Sequence, residues 1–201
     1  MSRLLLVRHG DTELNSAERY WGQCDVKLSA DGLRQAERLR HCLANEKIDA
    51  IYSSDLSRAL VTAEIVASEH RLEVITCAEL REINFGKFEG LTFAEISQLY
   101  PELAKLWAER SPSLEFPGGE SVNDFDKRIG KFMSRLEKHS PGETILVVAH
   151  AGVLRVLVCR LLGIELQHRW QFRLDLASLS IVETYPQGAI LSRLNDVSHL
   201  R

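Results

Sequence analysis

No run of the 201-residue chain approaches the roughly 20 consecutive apolar residues that a membrane-spanning helix needs. Neither sign of charge is in excess. The 25 lysines and arginines face 28 acidic residues, and a net charge of -3 gives no reason to expect a nucleic-acid or membrane partner. The four cysteines, Cys24, Cys42, Cys77 and Cys159, lie far apart with no C-x-x-C pair. That argues against a zinc centre and fits reduced thiols in a cytoplasm. No G-x-x-x-x-G-K-[ST] loop occurs, which disfavours a P-loop nucleotide enzyme. Internal repeats and low-complexity linkers are also missing. Ser111 to Gly119, rich in Ser, Pro and Gly, therefore reads as a loop inside one domain spanning residues 1–201. The N-terminus enters a strand directly, so no signal or transit peptide is expected and a cytoplasmic location is.

What the chain does have is a regular alternation of elements. Arg3 to Arg8, Asp49 to Ser53, Leu72 to Thr76 and Thr144 to Ala149 are short apolar runs of the kind that form buried parallel strands. Between them lie helical patterns. Ser29 caps a helix carrying Leu33, Ala36, Leu39 or Arg40, and Leu43 along one side. Ala59, Leu60, Ala63 and Val66 mark a second helix over Leu56 to Glu69. Thr92-Phe93-Ala94-Glu95 is a capping box, and Ser121 with Asp124 starts a helix expected to reach about His139. Val153 to Leu162 is a helix closed by Gly163, and Ser178 to Glu183 with Ala189 to Leu194 form a hairpin. The implied fold is α/β: a three-layer α/β/α sandwich on a mainly parallel sheet with an antiparallel edge element.

Two strands end in histidine. Leu4-Leu5-Leu6-Val7 stops at Arg8-His9-Gly10, and Ile145-Leu146-Val147-Val148-Ala149 stops at His150-Ala151-Gly152. Ligands of open α/β sheets bind at the carboxyl ends of strands, so both histidines arrive where chemistry is done. Arg58 lies in the first turn of the helix after the second strand and reaches the same edge, where a helix N-terminus also favours an anion. Arginine suits phosphate because its planar fork meets two oxygens at once. A histidine between arginines stays neutral and keeps a nucleophilic nitrogen. The remaining histidines, His41, His70, His139, His168 and His199, have no such setting and read as structural or solvated. Arg34, Arg38 and Arg40 read as solvated charge on a helix face. Trp21, Trp107, Phe116 and Trp170 read as packing, with a flat base as the sharper alternative.

Four ordered blocks carry a resemblance that spans nearly the whole chain. They are Arg8-His9-Gly10, Ser53-Ser54-Asp55-Leu56-Ser57-Arg58-Ala59 with Thr62-Ala63, Leu80-Arg81-Glu82-Ile83-Asn84-Phe85-Gly86, and Ala149-His150-Ala151-Gly152. The chain resembles the histidine phosphatase superfamily, also called phosphoglycerate mutase-like. Within it, Tyr20 to Val26, Phe116 to Ser121 and Trp170 to Asp175 look most like the α-ribazole phosphatase and small-molecule phosphatase branch. The resemblance implies His9 as the nucleophile, Arg8, Arg58 and His150 as the phosphate pocket, and Glu82 as the proton donor. Asn15 and Gln23 match family positions that contact phosphate or substrate, and the backbone N–H of Ala151 or Gly152 adds a donor. Asp11 departs from the usual Glu or Gln, and Cys24 from a frequent Thr.

The expected activity is hydrolysis of a small phosphorylated metabolite through phosphohistidine, with no metal and no cofactor. α-Ribazole 5′-phosphate leads, and phosphoserine or broad specificity is the alternative. A mutase is disfavoured because only seven residues, Asn195 to Arg201, follow Leu194, too short a tail to shield the site from water. A non-catalytic binding module is disfavoured because every core residue is present. The sequence leaves a homodimer open.

Overall fold

The computed structural model describes residues 2–14, 19–111 and 113–201. Six strands form one sheet in the order β3-β2-β4-β1-β5-β6. They are β1 (Ser2–Arg8), β2 (Ala50–Ser53), β3 (Val74–Thr76), β4 (Thr144–Ala149), β5 (Leu179–Tyr185) and β6 (Gly188–Asp196). The first four run parallel, and β5 and β6 add an antiparallel edge. The helices are α1 (Ala30–Leu43), α2 (Ser57–His70), α3 (Phe93–Leu99), α4 (Pro101–Ala108), α5 (Val122–Leu136) and α6 (Ala151–Leu162).

Alternation along each strand divides the core in two. Leu5, Val7, Leu146 and Val148 pack with Leu39 and Leu43 of α1 and Ala59, Ala63 and Val66 of α2. Leu4, Leu6, Ile145 and Val147 turn the other way, toward Ile129 and Phe132 of α5 and Leu154 and Leu157 of α6. This is the expected three-layer arrangement. No helix among the described residues is long and apolar enough to cross a membrane.

Local signals held where side chains satisfy backbone. Ser29 accepts from Gly32 N, both arms of the Thr92–Glu95 capping box form, and Ser121 accepts from Asp124 N. Gly163 closes α6 at φ 66°, a left-handed backbone that favours glycine. Two details differ. Leu33 is 44% exposed, because the buried stripe of α1 runs through Gly32, Ala36, Leu39 and Leu43. Gly32 sits in that stripe because an added Cβ would lie 2.0 Å from the Asp11 carbonyl oxygen, so backbone approaches backbone there. Helix α5 stops at Leu136, three residues before the expected end.

The segment between β3 and β4 rises over the carboxyl edge of the sheet. It includes α4, whose Pro101 occupies the first turn. Its aromatic residues interlock: Phe85 stacks on Trp107 with centroids 5.4 Å apart, Phe116 meets Trp107 edge-on at 5.2 Å, and Tyr20 joins Trp107 at 4.5 Å.

Candidate active site

Register brings the two histidines together. In the parallel pair β1–β4, Arg8 lies opposite Ala149, so the next residues, His9 and His150, leave the sheet side by side. The His9 N–H extends the ladder to the Ala149 carbonyl at 3.0 Å, and the ring centroids are 5.0 Å apart. On the other flank of β4, Ser54 N–H bonds the Val148 carbonyl, which brings Ser54 to the same edge. Both histidines are buried, His9 at 7% and His150 at 1% exposure.

The hydrogen bonds of His9 decide its chemistry. Its Nδ1 is 2.7 Å from the Gly10 carbonyl oxygen, which can only accept, so Nδ1 carries the hydrogen and Nε2 keeps the lone pair. Burial, then Arg8 and Arg58, hold the His9 pKa well below the ordinary 6.5. The ring is a neutral imidazole with a free nucleophilic nitrogen. His150 is likewise lowered, by burial and by Arg58 first among its neighbours. Arg58 Nε–H donates to His150 Nδ1 at 3.3 Å, so Nε2 bears the hydrogen and donates to Ser54 Oγ at 2.9 Å.

The two arginines differ. Arg58 is 3% exposed and spends four of its five N–H groups inside the protein. They go to His150 and to the carbonyls of Cys24 (2.8 Å), Gly22 (2.7 Å) and Trp21 (3.2 Å). The two-oxygen grip expected from the sequence is therefore not available to Arg58 as it stands. Arg8 is held by one bond, NH1 to the Leu174 carbonyl at 2.8 Å, and its buried Nε has no partner among the described residues. The fork free to meet two phosphate oxygens belongs to Arg8.

Glu82 reaches the N-terminus of α6. Its Oε2 accepts from Gly152 N–H at 3.0 Å and its Oε1 from Ile83 N–H at 2.9 Å. The approach needs a glycine, because a Cβ on Gly152 would stand 2.3 Å from Glu82 Oε1. Of the neighbouring acidic residues, Glu79 pairs with Arg135, and Glu89 accepts from the backbone of Gln23 and Cys24. Neither lines the cleft.

These groups share one cleft of about 270 Å³, lined by Arg8, His9, Arg58, Glu82, His150, Ala151 and Gly152 at one end. The other end is walled by Trp21, Phe116, Phe125 and Trp170, with Trp107 behind. All four aromatics read from the sequence as packing thus face the cleft, although Trp107 and Phe116 are also core. Among the described residues five arginines line the cleft against a single acid, Glu82. Arg155 and Arg169 were not singled out from the sequence. Each lies 5.1 Å from the Trp170 ring centre, and neither has an ion-pair partner among the described residues. Arg155 could have been found, since it stands one helical turn beyond Ala151 on α6.

The remaining positions are less direct. Gln23 does not line the cleft, and its side-chain amide donates to the Glu82 carbonyl at 3.2 Å. Cys24 acts through its carbonyl, which holds Arg58. Asp11 accepts from Ser29 Oγ at 2.6 Å beside the α1 cap. Asn15 lies outside the described residues. No cluster of three or more His, Cys, Asp or Glu side chains able to hold a metal occurs among the described residues.

The profile of the histidine phosphatase superfamily, branch 1, matches residues 4–197. The chain belongs to that superfamily. It is 36% identical over 200 residues to phosphoserine phosphatase 1 of Hydrogenobacter thermophilus, covering 100% of this chain and 95% of that protein. It is 34% identical to the adenosylcobalamin/α-ribazole phosphatase of Escherichia coli, covering 96% and 95%. Among solved structures it is similar to the α-ribazole phosphatase of Shigella flexneri, with a TM-score of 0.90, 33% identity and 96% of each chain covered.

Proposed function

We propose that the protein hydrolyses phosphomonoesters of small metabolites through a phosphorylated His9, with α-ribazole 5′-phosphate as the leading substrate. The observation that carries this is the His9 tautomer: Nδ1–H is committed to Gly10, so Nε2 is the nucleophile, in a cleft whose charge is overwhelmingly positive. Arg8 grips the phosphate by its fork, and Arg58 adds its one uncommitted N–H. His150 joins by exchanging its bond to Ser54 for one to a phosphate oxygen.

In the first step, the His9 Nε2 lone pair forms a bond to phosphorus while the bond to the alcohol oxygen breaks. Glu82 gives its proton to that oxygen, and the alcohol leaves neutral. In the second, water attacks phosphorus, its proton passes to Glu82, and the P–N bond breaks to release phosphate and restore His9. The Ala151 N–H at the start of α6 steadies the charge that builds on the transferring group, the Gly152 N–H being held by Glu82.

The aromatic far end suits a flat base, which favours α-ribazole 5′-phosphate. Arg155 and Arg169 support a second reading, a substrate with another anionic group such as phosphoserine. Relatives named for both substrates are similar along nearly the whole chain.

The test is direct. Protein mixed with a phosphate-labelled monoester and quenched in alkali, where phosphohistidine survives, should carry label on His9. Label that persists in His9→Ala, or that maps to another residue, would overturn the proposal.

A further inference from the structure

Arg128, on α5, is saturated by the segment that presents Glu82. Its Nε and NH2 grip the two carboxylate oxygens of Glu120 at 2.7 Å each. NH1 donates to the carbonyls of Glu79 (2.9 Å) and Arg81 (2.7 Å), and NH2 also to the carbonyl of Glu82 at 3.1 Å. All five N–H groups of the guanidinium are used. Three of them fix the backbone of 79–82, and the Glu120 that anchors the fork also accepts from Asn84 N–H at 2.9 Å. The carbonyl of Glu82 takes a second bond, from Gln23. Arg128 and Glu120 are 18% and 19% exposed at their side chains, so solvent does little to weaken the pair.

The segment needs such a clamp. Residues 81–85 lie outside every helix and strand, and Glu82 must hold its Oε2 at 3.0 Å from the Gly152 N–H of a fixed helix terminus. An acid displaced by about 1 Å loses much of its effect, since proton transfer depends on hydrogen-bond reach. Arg128 is also not a ligand to the phosphate: it is absent from the cleft lining and has no N–H to spare.

We infer that Arg128 is a positioning residue for proton transfer. With Glu120 it holds the backbone of Glu82 so that the carboxyl stays on the leaving oxygen. The inference rests on the reading of Glu82 as the acid, and the experiment separates the two.

The readout is leaving-group dependence. Values of kcat/KM, which report phosphoryl transfer to His9, are compared for benzyl phosphate, whose alkoxide needs a proton, and p-nitrophenyl phosphate, whose phenolate does not. In Glu82→Gln the benzyl ester should suffer about 10²–10⁴-fold and the nitrophenyl ester far less. Arg128→Gln should reproduce that pattern more weakly, with the ratio of the two substrates falling at least tenfold. Glu120→Gln, which keeps the shape of the anchor, should shift the ratio in the same direction. In the Glu82→Gln background, Arg128→Gln should no longer change the ratio, because the acid it positions is gone. Equal losses for the two esters in Glu82→Gln would overturn the reading of Glu82. A ratio shift in Glu82→Gln with equal losses in Arg128→Gln and Glu120→Gln would overturn the inference alone and leave Arg128 a merely structural residue. Should Arg128→Gln fail to fold, Glu120→Gln decides by the same ratio.

Discussion

At the phosphate end of the cleft His9, His150 and Arg58 leave strand ends or a helix start, and His9 and Arg58 are tied to backbone carbonyls. His9 is fixed by the carbonyl of Gly10, and Arg58 by those of Trp21, Gly22 and Cys24. At the alcohol end the walls come from α5, α6, the β3–β4 segment and the turn around Trp170, and they meet through side-chain stacking. The first end is a set of polar side chains, of which Arg58 is the most firmly held and Arg8 the least. The second is apolar and aromatic surface with Arg169 and, within electrostatic reach of Arg8 and Glu82, Arg155, neither in an ion pair among the described residues. On the proposed reading, His9 and Arg58 are held by main-chain carbonyls, and selectivity rests on side chains that can change without disturbing them.

The sharpest way to break this comparison is Arg58→Lys. Charge would be kept, but one ammonium cannot hold three carbonyls and His150 at once, so the Trp21–Cys24 turn and the ring of His150 would both lose an anchor. We expect kcat/KM to fall by about 10²–10³-fold for every monoester, whatever its alcohol, as when one preorganised donor is removed. A loss confined to bulky substrates would mean that Arg58 serves the alcohol end instead.

The same division explains what could be read from the sequence. His9 and His150 were legible because a short apolar run ending in His is a local pattern, and strand pairing needs no long-range detail to place both at one edge. Glu82 was legible only as part of a block, since nothing local in Leu80 to Gly86 forms an element that would aim it. Arg128 sits in a helix whose spacing marks it merely as not core, and its partners, the carbonyls of Glu79, Arg81 and Glu82, are set by tertiary packing that no window of sequence contains. For Leu33, the same window pointed to the wrong side of α1. Backbone contact between Gly32 and Asp11 outweighed the hydrophobic count.

The alcohol end should answer to a gentler change. Trp21 lines the cleft and is held by a bond from Nε1 to the Leu14 carbonyl at 3.2 Å. Its backbone carbonyl, which Arg58 uses, survives mutation. Trp21→Ala should therefore lower kcat/KM for α-ribazole 5′-phosphate by about tenfold, the worth of one base–aromatic stack, mainly through KM. Glycerol phosphate, with no ring to stack, should lose much less. Equal losses would show that Trp21 acts on the phosphate end through the Trp21–Cys24 turn.

The smallest effect is a titration. In the free protein the His9 pKa is lowered first by burial and then by Arg8 and Arg58, and His150 in the same direction. An NMR titration should give both rings midpoints below 6.5, and His9 should hold its Nε2 lone pair through neutral pH. Folding is linked to this with a definite sign. Between the lowered folded values and 6.5 the unfolded chain binds more protons, so stability is complete above about 6.5 and declines as pH falls below it. Arg8→Gln removes one like charge and should move the His9 midpoint upward, though not back to 6.5, because burial is the larger cause and remains. A midpoint at or above 6.5 in the wild-type protein would contradict the lowering by burial, and one above about 7 would leave His9 mostly protonated at neutral pH, with no lone pair to take the phosphoryl group.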